Sequence, residues 1–312
     1  MTSNFLLYGA NGYVGEAAAL LAVAQGLRPI LAGRDAAKLE PMAKRLGVEL
    51  RVCALDDAPG LDRALRGVPV VLHCAGPYKF TSKPMADACL RAGVHYLDLT
   101  GEIPVFEALA ARDAEAKERG VMLLPAVGFD VVPTDCLAVH LLRRLPSATR
   151  LTLAFQSVGR AGLPPGTQRT MIELLPFGDR VRLGGKLVVP TQAVKLRSID
   201  FGQGPVEAMR FTWGDVYTAY HSTGIADIEV YAVLPAPMRR QMALLKTLRP
   251  LFSLAPMRAL LQRGVRPGPS AQARAQTVTH VWGEVTDAQG RSAVSRLHGP
   301  EAGLVWTTRA AL

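Results

Sequence analysis

The sequence predicts an α/β protein of two domains, a doubly wound parallel sheet followed by an α+β domain with a mixed, largely antiparallel sheet. Three observations carry this expectation. A strand-like run at 4–8 ends in Gly9-Ala-Asn-Gly12-Tyr-Val-Gly15 and enters Glu16-Ala-Ala-Ala-Leu-Leu-Ala, a strong helix former. Short apolar runs then alternate with helical stretches as far as residue 126, the signature of repeated βα units. From about Pro133 the pattern changes to alternating apolar and polar residues, which suits antiparallel strands.

In chain order, strands are expected at 4–8, 28–32, 48–53, 68–74, 94–99 and 121–126. Helices are expected after Glu16 and at 36–46, 59–66, 83–92 and 104–119. One more helix ends near Leu145. Strands follow at Arg150-Leu-Thr-Leu-Ala-Phe-Gln, Lys186-Leu-Val-Val and Val278-Thr-His-Val-Trp-Gly-Glu-Val, and Asp287-Ala-Gln-Gly290 marks a hairpin turn. A helical stretch at 236–263 interrupts them, and residues from Glu301 start a last helix. The expected boundaries are therefore 1–132 for the first domain, completed by 300–312, and 133–299 for the second.

Composition narrows the function classes. Nearly half of the 312 residues are apolar, with no low-complexity tract and no fixed repeat, so the chain is long enough to enclose two cores. Cys53, Cys74, Cys89 and Cys136 form no C-x-x-C pair, so neither a metal site nor a disulfide framework is expected. Met1 runs straight into a strand without a basic, cleavable leader, and a cytoplasmic location follows as the expectation. The net charge of +10 is mostly local: no acid lies between Glu229 and Glu284, while Arg239, Arg240, Lys246, Arg249, Arg258, Arg263, Arg266 and Arg274 are all basic. With few aromatics and no recognition motif beside it, this charge does not predict a nucleic-acid partner. Within 236–263, Met238, Met242, Leu245 and Leu248 recur at helical spacing while Arg239, Arg240 and Lys246 fall largely elsewhere. Such a segment packs against a core or lies on an anionic membrane surface, and exposure separates the two. A homodimer is left open.

The glycine spacing G-x-x-G-x-x-G between a strand and a helix points to a Rossmann-type dinucleotide site. Gly9 permits the tight turn, Gly12 leaves room for a pyrophosphate, and Gly15 allows the helix to approach the strand; Asn11, Tyr13 and Val14 complete the turn. At the end of the second strand an NAD site wants an acidic side chain for the ribose 2′-hydroxyl. Here stand Gly33 and Arg34, with Lys38 one turn on, which suits the 2′-phosphate of NADP(H). There is no G-x-x-x-x-G-K-[ST] and no Y-x-x-x-K pair, so phosphoryl transfer and short-chain dehydrogenase chemistry are not expected.

Four later segments, His73-Cys-Ala-Gly-Pro-Tyr78, His95-Tyr-Leu-Asp-Leu-Thr-Gly-Glu102, Pro125 to Asp135 and Gly214 to Gly224, resemble the saccharopine dehydrogenase-like oxidoreductases, including the trans-acting enoyl reductases of actinobacterial lipid synthesis. The resemblance implies a Rossmann domain completed by C-terminal residues, NADP(H) as cofactor and a substrate domain with a mixed sheet. It does not imply saccharopine as substrate, since the arginines a dicarboxylate amino acid requires are not matched.

The first three segments fall at carboxyl ends of strands, where a doubly wound sheet places its ligand. Ala75, Gly76, Pro77, Gly101, Gly128 and Phe129 are thus expected beside the cofactor, with Tyr78 and Asp130 towards substrate. Glu102 is either an acid in the reaction or a helix cap. In the second domain, Asp215, Tyr217, Tyr220 and His221 crowd proton-carrying side chains into one segment of a strand-rich region, and Tyr220 or His221 is the expected proton donor. Arg169, after Pro164-Pro-Gly-Thr, is a candidate anion holder. The expected activity is NADP(H)-dependent hydride transfer to an activated C=C or C=N bond of a small or acyl-type substrate. A dehydrogenase of an amino or hydroxy acid and a non-catalytic, membrane-peripheral NADP(H)-binding protein are the alternatives.

Overall fold

The computed structural model describes residues 5–192 and 194–312, with the side chains of 246, 247 and 249 left aside. Asn4, expected to open the first strand, lies outside the described residues. The chain divides into two compact units, one of residues up to Gly128 with Trp306–Leu312, the other Phe129–Val305. The division thus falls four residues before the expected boundary, and the C-terminal return begins at Trp306 rather than at 300.

The first unit is built from β1 (Leu6–Tyr8), α1 (Tyr13–Ala24), β2 (Ile30–Gly33), α2 (Ala36–Leu46), β3 (Leu50–Val52), α3 (Ala58–Ala64), β4 (Val70–His73), α4 (Tyr78–Ala92), β5 (His95–Asp98), α5 (Ile103–Ala110), α6 (Asp113–Arg119) and β6 (Leu123–Leu124). Its six strands run parallel in the order β3-β2-β1-β4-β5-β6. The inner strands are short and apolar and are buried on both faces: Leu6, Val71 and Tyr96 face one core, Leu7, Leu31 and Leu72 the other, while the edge strands β3 and β6 are partly exposed. The single helix expected at 104–119 is two, because Ala111 and Arg112 break the ladder between α5 and α6.

The second unit holds α7 (Val132–Arg144), β7 (Ala148–Val158), α8 (Pro165–Leu174), β8 (Val181–Leu183), β9 (Lys186–Val188), β10 (Leu196–Asp200), β11 (Pro205–Arg210), α9 (Asp215–Thr223), β12 (Asp227–Ala232), α10 (Ala236–Thr247), α11 (Ala255–Arg263), α12 (Ala271–Ala275), β13 (Val278–Asp287) and β14 (Ser292–Pro300). Its sheet runs β10-β11-β12-β7-β13-β14, with β8 and β9 attached at β12. Among the described residues of this sheet, only β12 and β7 pair in parallel; the rest is antiparallel. The segment 215–223, expected within a strand-rich region, is the helix α9, closed by Gly224 in the left-handed conformation at φ +71°. The helical stretch expected at 236–263 is α10 and α11 with a 3-10 turn at Arg249–Ser253 between them, as Pro250 cannot donate a helical hydrogen bond.

The last helix, α13 (Thr307–Ala311), returns to the first unit and packs beside α1, where Ala311 and Leu312 join the core of Leu7, Ala18 and Leu31.

Candidate functional site

In the first unit, β1 and β4 are neighbours, yet the chain leaves β1 towards β2 on the other side. This reversal opens a crevice at the carboxyl ends of the strands. The glycine turn sits there. Gly9, at φ +78°, donates its N–H to Ala32 O at 2.8 Å, and a Cβ on it would lie 2.9 Å from Ala75 Cβ. A Cβ on Gly15 would lie 2.2 Å from Gly9 O, so only glycine lets α1 approach the turn this closely. Gly12 is the N-cap of α1, in extended conformation and with no side-chain hydrogen bond to the helix start. Asn11 is exposed and Tyr13 and Val14 are half-buried around it. A helix start with glycine as its N-cap, behind a glycine turn, fits the pyrophosphate of a dinucleotide.

At the end of β2, Gly33 is buried and Arg34 is exposed, and Arg34 forms no hydrogen bond or ion pair among the described residues. The neighbouring Asp35 is turned away. Its carboxylate caps α2, accepting Lys38 N–H at 3.3 Å, and pairs with the Lys38 ammonium at 2.8 Å, so Lys38 is not the free second cation expected. The Lys38 contacts hold the Asp35 carboxyl below the usual carboxylate range.

At the ends of β4 and β5 the structure assembles a buried network. Ala75 and Pro77 are half-buried and Gly76 is exposed on the way into α4. Glu102, almost wholly buried, accepts the N–H groups of Tyr78 at 2.9 Å and Lys79 at 2.8 Å. These two bonds cap the start of α4, the second of the two roles expected for Glu102. Tyr78 is buried too, its hydroxyl donating to His73 O at 3.2 Å. Sequence reasoning passed over Asp98. Its carboxylate accepts Tyr96 Oη at 2.6 Å, Thr100 N–H at 2.9 Å and Ala126 N–H at 3.0 Å, tying together the loops that follow β5 and β6. Burial pushes its carboxyl up to about 6 against the lowering pull of these bonds. His73 is fully buried between the rings of Tyr8, Tyr78 and Tyr96, and burial holds it neutral, down to about 3. Gly101 is half-buried, and at Gly128 a Cβ would come within 3.0 Å of Thr307 Cγ2.

In the second unit, Phe129 is buried in a cluster of rings, 6.0 Å from Phe155 and 6.2 Å from Trp213. Asp215 is wholly buried and accepts Thr134 Oγ1 at 2.9 Å; burial, with Asp130 and Asp135 adding, pushes its carboxyl well above the usual range. Tyr217, Tyr220 and His221 do come together on α9: the Tyr217 and His221 rings are 4.8 Å apart and those of Tyr220 and His221 5.8 Å. Over them lies Arg182, which sequence reasoning missed because no motif marks it. Its guanidinium is 4.2 Å from the Tyr220 ring and is anchored by Nε to Val216 O at 2.8 Å. Arg169 is exposed on α8, its carbonyl accepting Gln262 Nε2 at 3.3 Å.

The sheet order, the glycine turn and the N-terminus of α1 define a dinucleotide-binding protein of the Rossmann class. Residues 5–124 match the family model of the saccharopine dehydrogenase NADP binding domain. A saccharopine dehydrogenase-like oxidoreductase of Mus musculus is 28% identical over 201 residues, 57% of this chain and 46% of that protein. A trans-acting enoyl reductase of Mycobacterium ulcerans is 28% identical over 203 residues, 62% of this chain and 45% of that protein. The matched region thus spans about half the length of these relatives. Among solved structures, the apo saccharopine dehydrogenase (L-Glu forming) of Saccharomyces cerevisiae shares the fold at a TM-score of 0.62 and 13% identity, covering 99% of this chain and 88% of that one.

Proposed function

We propose that this chain is an oxidoreductase that binds NADP(H) in preference to NAD(H) and transfers hydride to an activated C=C or C=N bond of a small or acyl-type substrate. The observation that carries the cofactor reading is Arg34: exposed at the end of β2, without a partner among the described residues, while the one adjacent acid caps α2. A planar guanidinium left free at this position suits a 2′-phosphate, and an acid withdrawn from it offers no acceptor for a 2′-hydroxyl. When bound, NADPH supplies the hydride. The chain's part is to hold the pyrophosphate at Gly9, Gly12 and the start of α1, and to deliver a proton from the Tyr217–Tyr220–His221 cluster on α9. The enoyl reductase relative favours a conjugated C=C bond as acceptor.

Titration of NADPH and NADH against the wild type and Arg34→Ala tests the cofactor. Loss of a charge-assisted contact should weaken NADPH roughly ten- to a hundredfold and leave NADH unchanged. Equal affinity of the wild type for both would overturn the preference. Oxidation of NADPH with a panel of enones and cyclic imines tests the activity separately.

A further inference from the structure

We infer that the surface formed by α10, the turn Arg249–Ser253 and α11 docks onto an anionic lipid bilayer. The inference stands independently of the reading of the cofactor site. A helix that serves the core buries its apolar side chains, and here the reverse holds. Among the described side chains of 236–263 only Phe252 is buried, while Leu244 is 58% exposed, Leu251 46%, Leu254 59% and Leu260 59%. Large apolar side chains concentrated in one exposed segment mark an interaction surface rather than ordinary scatter.

Two distant segments extend the same surface. The turn Leu175–Phe177 packs beside Arg249–Ser253 and presents Phe177, 45% exposed, and α8 packs beside α11 and presents Arg169. The charge is one-sided. No acid occurs between Glu229 and Glu284. Arg239 and Arg258 are paired with Glu207 and Glu173, but Arg240, Arg263 and Arg266 are exposed and form no ion pair among the described residues. Lys246, expected on the polar face, has its side chain outside the described residues.

Leucines interleaved with unpaired arginines match the boundary between acyl chains and anionic head groups, which takes both at once. A second copy of the chain fits worse, since a two-fold contact sets the same cations against one another. Nucleic acid fits worse as well, because leucine offers bases no stacking face.

Co-sedimentation of the whole chain with vesicles of phosphatidylcholine and phosphatidylserine tests this. Binding is expected at low salt, reduced at high salt and absent on pure phosphatidylcholine. Replacing Leu244, Leu254 and Leu260 by Gln should lower partition by at least about tenfold. Replacing Arg240, Arg263 and Arg266 by Gln should lower it roughly a hundredfold and flatten the salt dependence. All six positions are exposed, so circular dichroism should show the fold unchanged. A wild type that stays in the supernatant at low salt overturns the inference, as does a folded leucine variant that binds like the wild type. A concentration-dependent dimer in the ultracentrifuge, dispersed by the leucine substitutions, assigns the surface to a second copy instead.

Discussion

Glu102 caps a helix other than the one it precedes: it stands immediately before α5, yet its carboxylate receives the first two N–H groups of α4, from Tyr78 and Lys79. Two strand ends are joined by one side chain. Glu102→Ala therefore leaves two buried donors without an acceptor and should cost about 3 kcal/mol of stability. Glu102→Gln keeps one carbonyl oxygen and should cost about half as much. Urea unfolding of the three proteins reads the difference; a variant as stable as the wild type but without turnover would make Glu102 a reacting acid.

Gly15 and Gly26 separate steric need from conformational freedom. A Cβ at Gly15 meets the Gly9 carbonyl oxygen at 2.2 Å and Ala10 Cα at 2.9 Å, both backbone, whereas Gly26, at φ +82°, has open space around it. Gly15→Ala should cost about 3 kcal/mol and weaken NADPH binding by displacing the turn. Gly26→Ala should cost only about 1 kcal/mol, from the left-handed backbone, with binding intact. Thermal unfolding with and without NADPH measures both.

Asp98 should leave a signature in the pH dependence of stability. Its carboxyl is raised from 3.8 to about 6, chiefly by burial, so between those values the folded state holds a proton that the unfolded state has released. Its contribution is then fully present below about pH 4 and is lost as pH rises towards 6, by about 3 kcal/mol. Other carboxylates, such as Asp87 held low by Lys83 and Arg112 despite burial, change stability in the opposite sense, so the comparison must be with Asp98→Asn. The stability of wild type minus variant should fall between pH 4 and 6. A flat difference would show that Asp98 titrates normally in the fold.

On α9, Tyr220→Phe and His221→Gln address the proton. Their rings touch, and His221 is exposed where Tyr220 lies under Arg182. Removing the true donor should lower kcat with an enone or imine substrate by about a hundredfold, with NADPH affinity unchanged. If both variants turn over within a fewfold of wild type, the proton comes from elsewhere.

Local pattern made the first unit legible. The glycine spacing, the short apolar strands and the helices between them are each set by neighbours a few residues away, and even the left-handed turn at Gly9 follows from residue type. The second unit was harder to read because Asp215–Thr223 is short and rich in Tyr and Thr, which favour strands, while Gly224 and the packing of α9 against α7 and β12 hold it as a helix. The candidate site divided along the same line: the glycine turn was visible, Arg182 and Asp98 were not, since what marks them is the rings and amides brought to them from elsewhere in the chain.

By itself, the sequence determined that β1 enters α1 through a glycine turn, that Arg34 ends β2, and that a long basic stretch carries no acid, because composition and spacing suffice for each. Only the tertiary structure decided that Asp35 turns into α2, that Glu102 serves α4, and that Leu244, Leu254 and Leu260 remain exposed. A side chain's partner and its burial depend on which distant backbone the fold brings near, and no local pattern encodes that approach.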